Sequence, residues 1–228
     1  MGSPSKEPLR EPWAKDSETQ HSVTLTRGFW LADTVVTQAL WLAVMGGENP
    51  SYFQDDLQNP VEQVGWDDAQ MFIERLNDLI PDLKAQLPSE AQWEYACRAG
   101  TTSPFSFGEN ITPELANYNG EYPYSGGEKG LYRQTTVPVK SLPANPWGLF
   151  EMHGNVWEWC QDVWQVNLET EAVNDPLTLG AEGGDRVLRS GSWHDYGWHV
   201  RSAFRNHDKP DERRNGIGFR LAIARTEL

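Results

Sequence analysis

The strongest amphipathic pattern in the chain runs over residues 66–80, where Ala69, Phe72, Ile73, Leu76, Leu79 and Ile80 recur at helical spacing. It predicts a surface helix with one buried face, and Asp67 and Asp68 in its first turn complement the helix dipole. A shorter apolar helix is predicted over residues 38–45, opened by Thr37 and stopped at Gly46-Gly47. A third follows Leu87-Pro88. There Ser89 and Gln92 form a capping box, Trp93, Ala96 and Cys97 face inward, and Gly100 ends the helix. Alternation of polar and apolar positions over residues 21–33 predicts the first strand pair, and residues 186–189 and 218–223 read as two further short strands. Residues 101–132 lack a period and form a long irregular region that its aromatic residues or an ion must hold. Residues 1–20 are polar, proline-containing and aperiodic, so they read as a flexible leader before one domain spanning residues 21–228.

Charge narrows the range of partners. With 33 acidic against 19 basic residues, a formal charge of -14 argues against a nucleic-acid backbone as partner. No apolar run approaches the roughly 20 residues of a membrane span. The N-terminus shows no signal-peptide pattern, so the chain reads as soluble, with its compartment unassigned. Cys97 and Cys160 are too few for a disulfide framework and read as buried free thiols. Eleven tryptophans with 20 glycines and 15 prolines suggest a loop-rich α+β domain.

The stretch between the two C-terminal strands is dense in His, Asp, Tyr, Trp, Phe, Arg and Asn, which is poor core material but resembles a contact surface. Within it Phe204 reads as a ligand anchor and Trp198 as core. His194, His199 and His207 match no tight zinc spacing. Asp195, Asp208, Asp211 and Glu212, interleaved with Arg201, Arg205, Arg213 and Arg214, read as a mixed-charge exposed face.

Four segments carry a family resemblance: LPSEAQWEYACRAG at 87–100, NPWGLFEMHGNVWEW at 145–159, RVLRSGSW at 186–193 and NGIGFRLA at 215–222. Together they resemble the formylglycine-generating enzyme (sulfatase-modifying factor) family. The resemblance implies a C-type-lectin-like fold with small antiparallel sheets, two to three helices and many long loops. Enzymes of that family hold copper with a cysteine pair after the Gly-Ser-aromatic motif; the matching positions are Asp195 and Val200, neither of which supplies a soft sulfur ligand. No copper and no catalysis are therefore expected. Cys97 matches a family cysteine whose usual disulfide partner position is Leu221, so its thiol is expected to stay free.

The sequence is also similar to a second branch on this frame, the variable proteins of diversity-generating retroelements, in which adenine-directed mutagenesis rewrites a C-terminal ligand-binding surface. Restoring Asn at several positions of 194–208 yields an Asn-rich template of the kind that branch uses. The resemblance implies a hypervariable region at about 190–220, with ligand contacts from His194, Asp195, Tyr196, Gly197, His199, Phe204, Asn206, His207, Asp208, Lys209, Glu212, Arg213, Arg214 and Asn215. The implied partner is a macromolecule, most simply a protein. The rival reading is an oxidoreductase or pseudo-enzyme of the same family, with His194, Asp195 and His199 as acid and base groups. The family's calcium segment maps onto Glu151, Gly154, Val156 and Glu158, which implies a structural Ca²⁺; the other reading of Glu158 is a buried pair with Arg189 or Arg220.

Overall fold

A computed structural model describes residues 1–10, 17–168, 170–180 and 183–224. In chain order the elements are β1 (Val23–Thr24), β2 (Phe29–Leu31), α1 (Gln38–Met45), α2 (Trp66–Leu79), β3 (Ala85–Gln86), α3 (Glu90–Arg98), β4 (Trp157–Val163), β5 (Val173–Asn174), β6 (Arg186–Arg189), β7 (Asn206–Asp208), β8 (Ile217–Gly218) and β9 (Ala222–Ala224). All three helices fall where capping chemistry predicts. Thr37 Oγ1 accepts from the Leu40 amide at 3.2 Å. The Ser89 hydroxyl accepts from Gln92 N at 3.2 Å, while Gln92 Oε1 accepts from Ser89 N at 2.9 Å. Ala69, Phe72, Ile73 and Leu76 are the buried stripe of α2. Leu79 and Ile80 depart from it, 62% and 50% exposed, because the last turn overhangs the core.

The frame is a mixed four-stranded sheet in the order β7-β6-β4-β8, with a three-stranded antiparallel sheet, β2-β9-β3, and a parallel pair, β1-β5. β4 runs antiparallel to β6 and parallel to β8. Two expectations change. The strands of residues 21–33 do not pair with each other; Thr26, whose amide donates to Asp175 at 2.8 Å, ties β1 to β5 while β2 joins β9. The run 218–223 divides into β8 and β9, because Phe219 enters the core and Arg220 turns to Glu158 between them.

The core has three parts. The largest joins α1 and α2 to β4, β6 and β8 through Trp41, Phe72, Trp157, Trp159, Leu188 and Phe219. A second gathers Trp93, Cys97, Met152, Cys160 and Val187. The third stabilises the irregular region: Phe105, Ile111, Ala116, Tyr118 and Tyr124 pack on Val200. Residues 101–132 are thus held by apolar and aromatic burial.

Charged pairs cross this core. Arg189, Arg201, Arg205 and Arg220 are fully or almost fully buried. Their carboxylate partners are Glu94 at 2.7 Å, Glu18 at 2.9 Å, Glu90 at 2.5 Å and Glu158 at 2.6 Å, respectively. Glu7 adds a second carboxylate to Arg201. These pairs correct the reading of residues 1–20 as a flexible leader. Gly2, Ser3, Ser17 and Glu18 are buried, and Gly2 N donates to Glu94 at 2.9 Å. Acidic residues that look like solvated leader supply the counter-charge that a desolvated guanidinium requires. Residues 11–16 of that leader lie outside the described residues.

Candidate functional site

Beyond β6 the chain enters a left-handed turn at Ser190, φ 87°, and lays residues 191–205 across the end of the four-stranded sheet. The turn is locked from below. The Gly154 amide donates to Ser190 O at 2.9 Å, and the Trp193 amide to Asn155 O at 3.0 Å. Asp195 closes the loop internally: its Oδ2 accepts from the Ser192 amide at 3.0 Å and from Ser192 Oγ at 2.5 Å, and its carbonyl accepts from Asn119 N at 2.8 Å. His194 Nδ1 lies 3.1 Å from Ser192 Oγ, and His199 Nδ1 lies 3.3 Å from Asp195 Oδ1. Burial opposes ionisation of Asp195, but hydrogen bonds from His199 and Ser192, with the nearby histidines, hold its carboxyl below the usual range.

The fourteen predicted contact positions therefore divide. His194, Lys209, Arg213 and Arg214 are exposed, and Tyr196, His199, Asn206, His207, Asp208, Glu212 and Asn215 are half-buried. Three others are corrected. Asp195, though half-buried, is committed to the loop. Gly197 is buried, and a Cβ there would stand 2.6 Å from Tyr124 N and 3.0 Å from Pro123 C, so the backbone of 122–124 excludes any side chain. Phe204 is 3% exposed and packs against Trp157 at 6.0 Å and His199 at 4.7 Å. It is core rather than anchor, because the chain must turn inward before β7. Trp198, partly buried against the third cluster, is core as expected. Arg201 and Arg205 also leave the exposed face for buried pairs, whereas Arg213 pairs with Asp68 at 2.7 Å and Arg214 with Asp208 at 2.9 Å.

What the fold assembles here is a band of rings. Trp193 meets His194 at 4.9 Å, Phe53 edge-on at 5.3 Å and Tyr132 in parallel at 6.2 Å. Tyr196 meets Tyr122 at 4.5 Å and Trp198 at 4.8 Å. Tyr52 and Tyr122 leave much of their surface open, 66% and 46% exposed. Trp193 Nε1 donates to Asn215 O at 3.0 Å, which joins the band to the 209–215 arm. Burial first, and then the charges of Glu121 and Asp195, raise the Tyr132 hydroxyl pKa. Sequence reasoning missed Tyr52, Phe53, Tyr122 and Tyr132, which come from two distant loops; their only signal was aromatic side chains in aperiodic polar surroundings.

At the expected calcium segment the four positions do not act as one set. Both oxygens of Glu158 are taken, by Arg220 at 2.6 and 2.7 Å and by Trp93 Nε1 at 2.7 Å. The Arg220 pairing is thus the correct reading of that residue. Gly154 and Val156 could offer only main-chain carbonyls, and that of Gly154 already accepts from Ser190 Oγ and from the Val156 amide, each at 3.0 Å. Glu151 differs: both carboxylate oxygens are buried with no side-chain hydrogen bond and face the amides of Lys140 and Leu142. Burial pushes its pKa up to about 7, against the amides of Lys140 and Leu142 and the charge of Arg220. Among the described residues no group of three or more His, Cys, Asp or Glu stands ready to hold a metal. Cys97 and Cys160 are free and buried, and burial raises the Cys97 thiol to about 12. Among the same residues no helix is long and apolar enough to cross a membrane.

A mixed α+β frame of small sheets, three helices and long loops, presenting one C-terminal loop surface, defines a C-type-lectin-like domain. The chain belongs to the sulfatase-modifying factor enzyme 1-like domain family, which matches residues 1–225. The formylglycine-generating enzyme of Mus musculus is 34% identical over 197 residues, 80% of this chain and 50% of that protein. The formylglycine-generating enzyme of Streptomyces coelicolor is 34% identical over 198 residues, 80% and 60% of the two chains. The chain thus spans about half the length of the curated relatives it matches. Among solved structures, PvdO from Pseudomonas aeruginosa superposes with a TM-score of 0.82 at 27% identity, covering 98% of this chain and 90% of that one. Treponema denticola variable protein 1 superposes with a TM-score of 0.71 at 28% identity, covering 86% and 84%.

Proposed function

We propose that this domain is a non-catalytic ligand-binding protein whose contact surface is the aromatic band around Trp193, His194 and Tyr196 with the 209–215 arm, and whose target is a protein. The observation that carries the reading is the band itself: exposed and half-exposed rings, in contact with one another, on a loop locked to the sheet end. Rigid rings give large contact area at little entropic cost, and such residues dominate interface affinity. The two positions that carry copper ligands in family enzymes hold Asp195, bound within its own loop, and Val200, buried in the third cluster. A copper centre is not part of this reading. Glu151, rather than Glu158, is the side chain offered to a structural calcium ion, since its hard carboxylate oxygens face main-chain amides and no paired guanidinium, whereas Arg220 and Trp93 occupy those of Glu158.

The reading extends to diversification by a retroelement, with replaceable positions at His194, Tyr196, His199, Asn206, His207, Asp208, Lys209, Glu212, Arg213, Arg214 and Asn215, and with Asp195, Gly197 and Phe204 constant. The likeness to Treponema denticola variable protein 1 supports it. The test is the DNA flanking the coding sequence. A near-identical copy of the segment for residues 190–220, differing only at adenines and lying beside a reverse-transcriptase gene, is expected; a locus with neither removes diversification from the account.

One observation favours a second reading, an enzyme of the same family. Ser192, His194, Asp195 and His199 already form one hydrogen-bonded row, and a row of that composition can move a proton. Ser192 is fully buried, so a substrate reaches the row through the exposed His194 or the half-buried His199. Oxygen uptake with a cysteine-containing peptide, abolished by His194→Ala, would favour this reading over the first.

A further inference from the structure

A cleft of about 420 Å³ lies where β1, β2 and α3 meet, and it shares no lining residue with the aromatic band. Its walls are apolar, from Val23, Leu25, Phe29, Ala91 and Tyr95, and Met1 closes one end. The volume falls in the lower part of the range for small-molecule sites, which pair apolar walls with a few placed polar groups. Here those groups are Arg27, Arg98 and Glu94.

The charge balance of the lining selects the ligand. Glu94 is the one carboxylate in it, and the fold has neutralised it. Its Oε1 accepts from Arg98 Nε at 2.9 Å, and its Oε2 from Arg189 at 2.7 Å. Burial opposes its ionisation, but those two guanidinium groups prevail and keep it charged and paired. Arg98 is committed as well, donating to Ser103 O at 3.1 Å and Gly2 O at 2.8 Å. Arg27 is different. It is exposed at the rim, facing this cleft on one side and the field of Asp175 on the other, where that carboxylate is already bound by the Thr26 amide and hydroxyl. The aromatic contribution is also open: Tyr95 is 54% exposed, tilted 59° to Phe29 at 6.4 Å and 60° to Trp147 at 4.9 Å, and Trp147 is itself 47% exposed. Of these rings Tyr95 and Phe29 line the cleft, and the open Tyr95 ring offers a planar group a face to pack on.

We propose that this cleft is a binding site for a small aromatic carboxylate, its ring against Tyr95 and Phe29 and its carboxylate at Arg27. An anion that forks onto the guanidinium gains paired charge-assisted hydrogen bonds, a neutral analogue gains fewer, and a cation is repelled.

The test titrates the full chain with indole-3-acetate, indole-3-acetamide and tryptamine, which share a ring and differ in charge, following ligand signals by NMR. Saturable 1:1 binding of the acetate is expected, about tenfold tighter than the amide, with tryptamine weakest. Arg27→Gln should bring acetate and amide to about the same affinity, and Tyr95→Ala should weaken both by about tenfold or more. Trp193→Ala, which does not line the cleft, should change neither. Absence of saturation below about 10 mM, tryptamine binding as tightly as the acetate, or an unchanged affinity in Tyr95→Ala would each overturn the proposal. Should a variant fail to fold, the ranking of the three ligands on the unsubstituted chain still decides it. Loss of the site would leave the aromatic-band reading intact, since the two share no residue.

Discussion

Individual residues decide which parts of the candidate face can change. Gly197 and Tyr196 are neighbours in sequence, yet a side chain at 197 would enter the backbone of 122–124, whereas the Tyr196 ring stands half-exposed against Tyr122. Gly197→Ala is therefore expected to cost about 1–3 kcal/mol by overpacking, and His194→Ala to stay within about 0.5 kcal/mol, both measured by denaturant unfolding. Equal effects would contradict the division between frame and surface. The resemblance groups these positions together, because a one-letter sequence shows residue type but not the distance from a Cβ to a neighbouring strand or loop. Glu151 gives the second prediction at this scale. Calcium should raise the melting temperature of the chain and release the Glu151 proton, and Glu151→Gln should abolish that rise. An equal rise in both proteins would place the ion elsewhere.

At the scale of elements, the segments legible in sequence are those with local causes. Thr37, Ser89 and Gln92 cap their helices as their spacing requires, and the α2 stripe stops where its apolar period meets the end of the core. Strand pairing and most of the buried ion pairs were not legible, since their partners lie far away: Val23 with Val173, Glu18 with Arg201, Glu90 with Arg205; Glu158 with Arg220 was one of the two pairings the sequence offered. The first twenty residues show the consequence. Their acidic side chains carry no periodic signal, yet two of them are counter-ions for one buried guanidinium beneath the candidate loop. Glu18→Gln is expected to destabilise the domain by about 1–3 kcal/mol, because it removes the two-point carboxylate from the buried Arg201 guanidinium and leaves Glu7 to carry the pairing. A Glu18→Gln protein as stable as the parent would show that the segment is not a clamp.

For the whole molecule, burial raises three carboxylates, Glu62, Glu151 and Asp162, to pKa values of about 7. Each binds its proton more tightly folded than unfolded, so its contribution is complete below the unfolded value of 4.5 or 3.8 and is lost as pH rises to about 7. Asp195 and Glu94, held low, act in the opposite sense and lose their contribution in acid. Glu62→Gln isolates one group: its stability relative to the parent should improve from pH 5 to about pH 7 and level off above it, and parallel curves would refute the assignment. The larger claim is that a constant frame carries an exchangeable contact face. A library randomised at His194, Tyr196, Lys209, Glu212, Arg213, Arg214 and Asn215, with Asp195, Gly197 and Phe204 kept, tests it most directly when selected against a panel of proteins and assayed for folding. The account predicts that most members fold with near-parent melting temperatures and that saturable protein binders emerge, with affinity lost on Trp193 truncation. A library that mostly unfolds, or that folds and yields no binder, would contradict it.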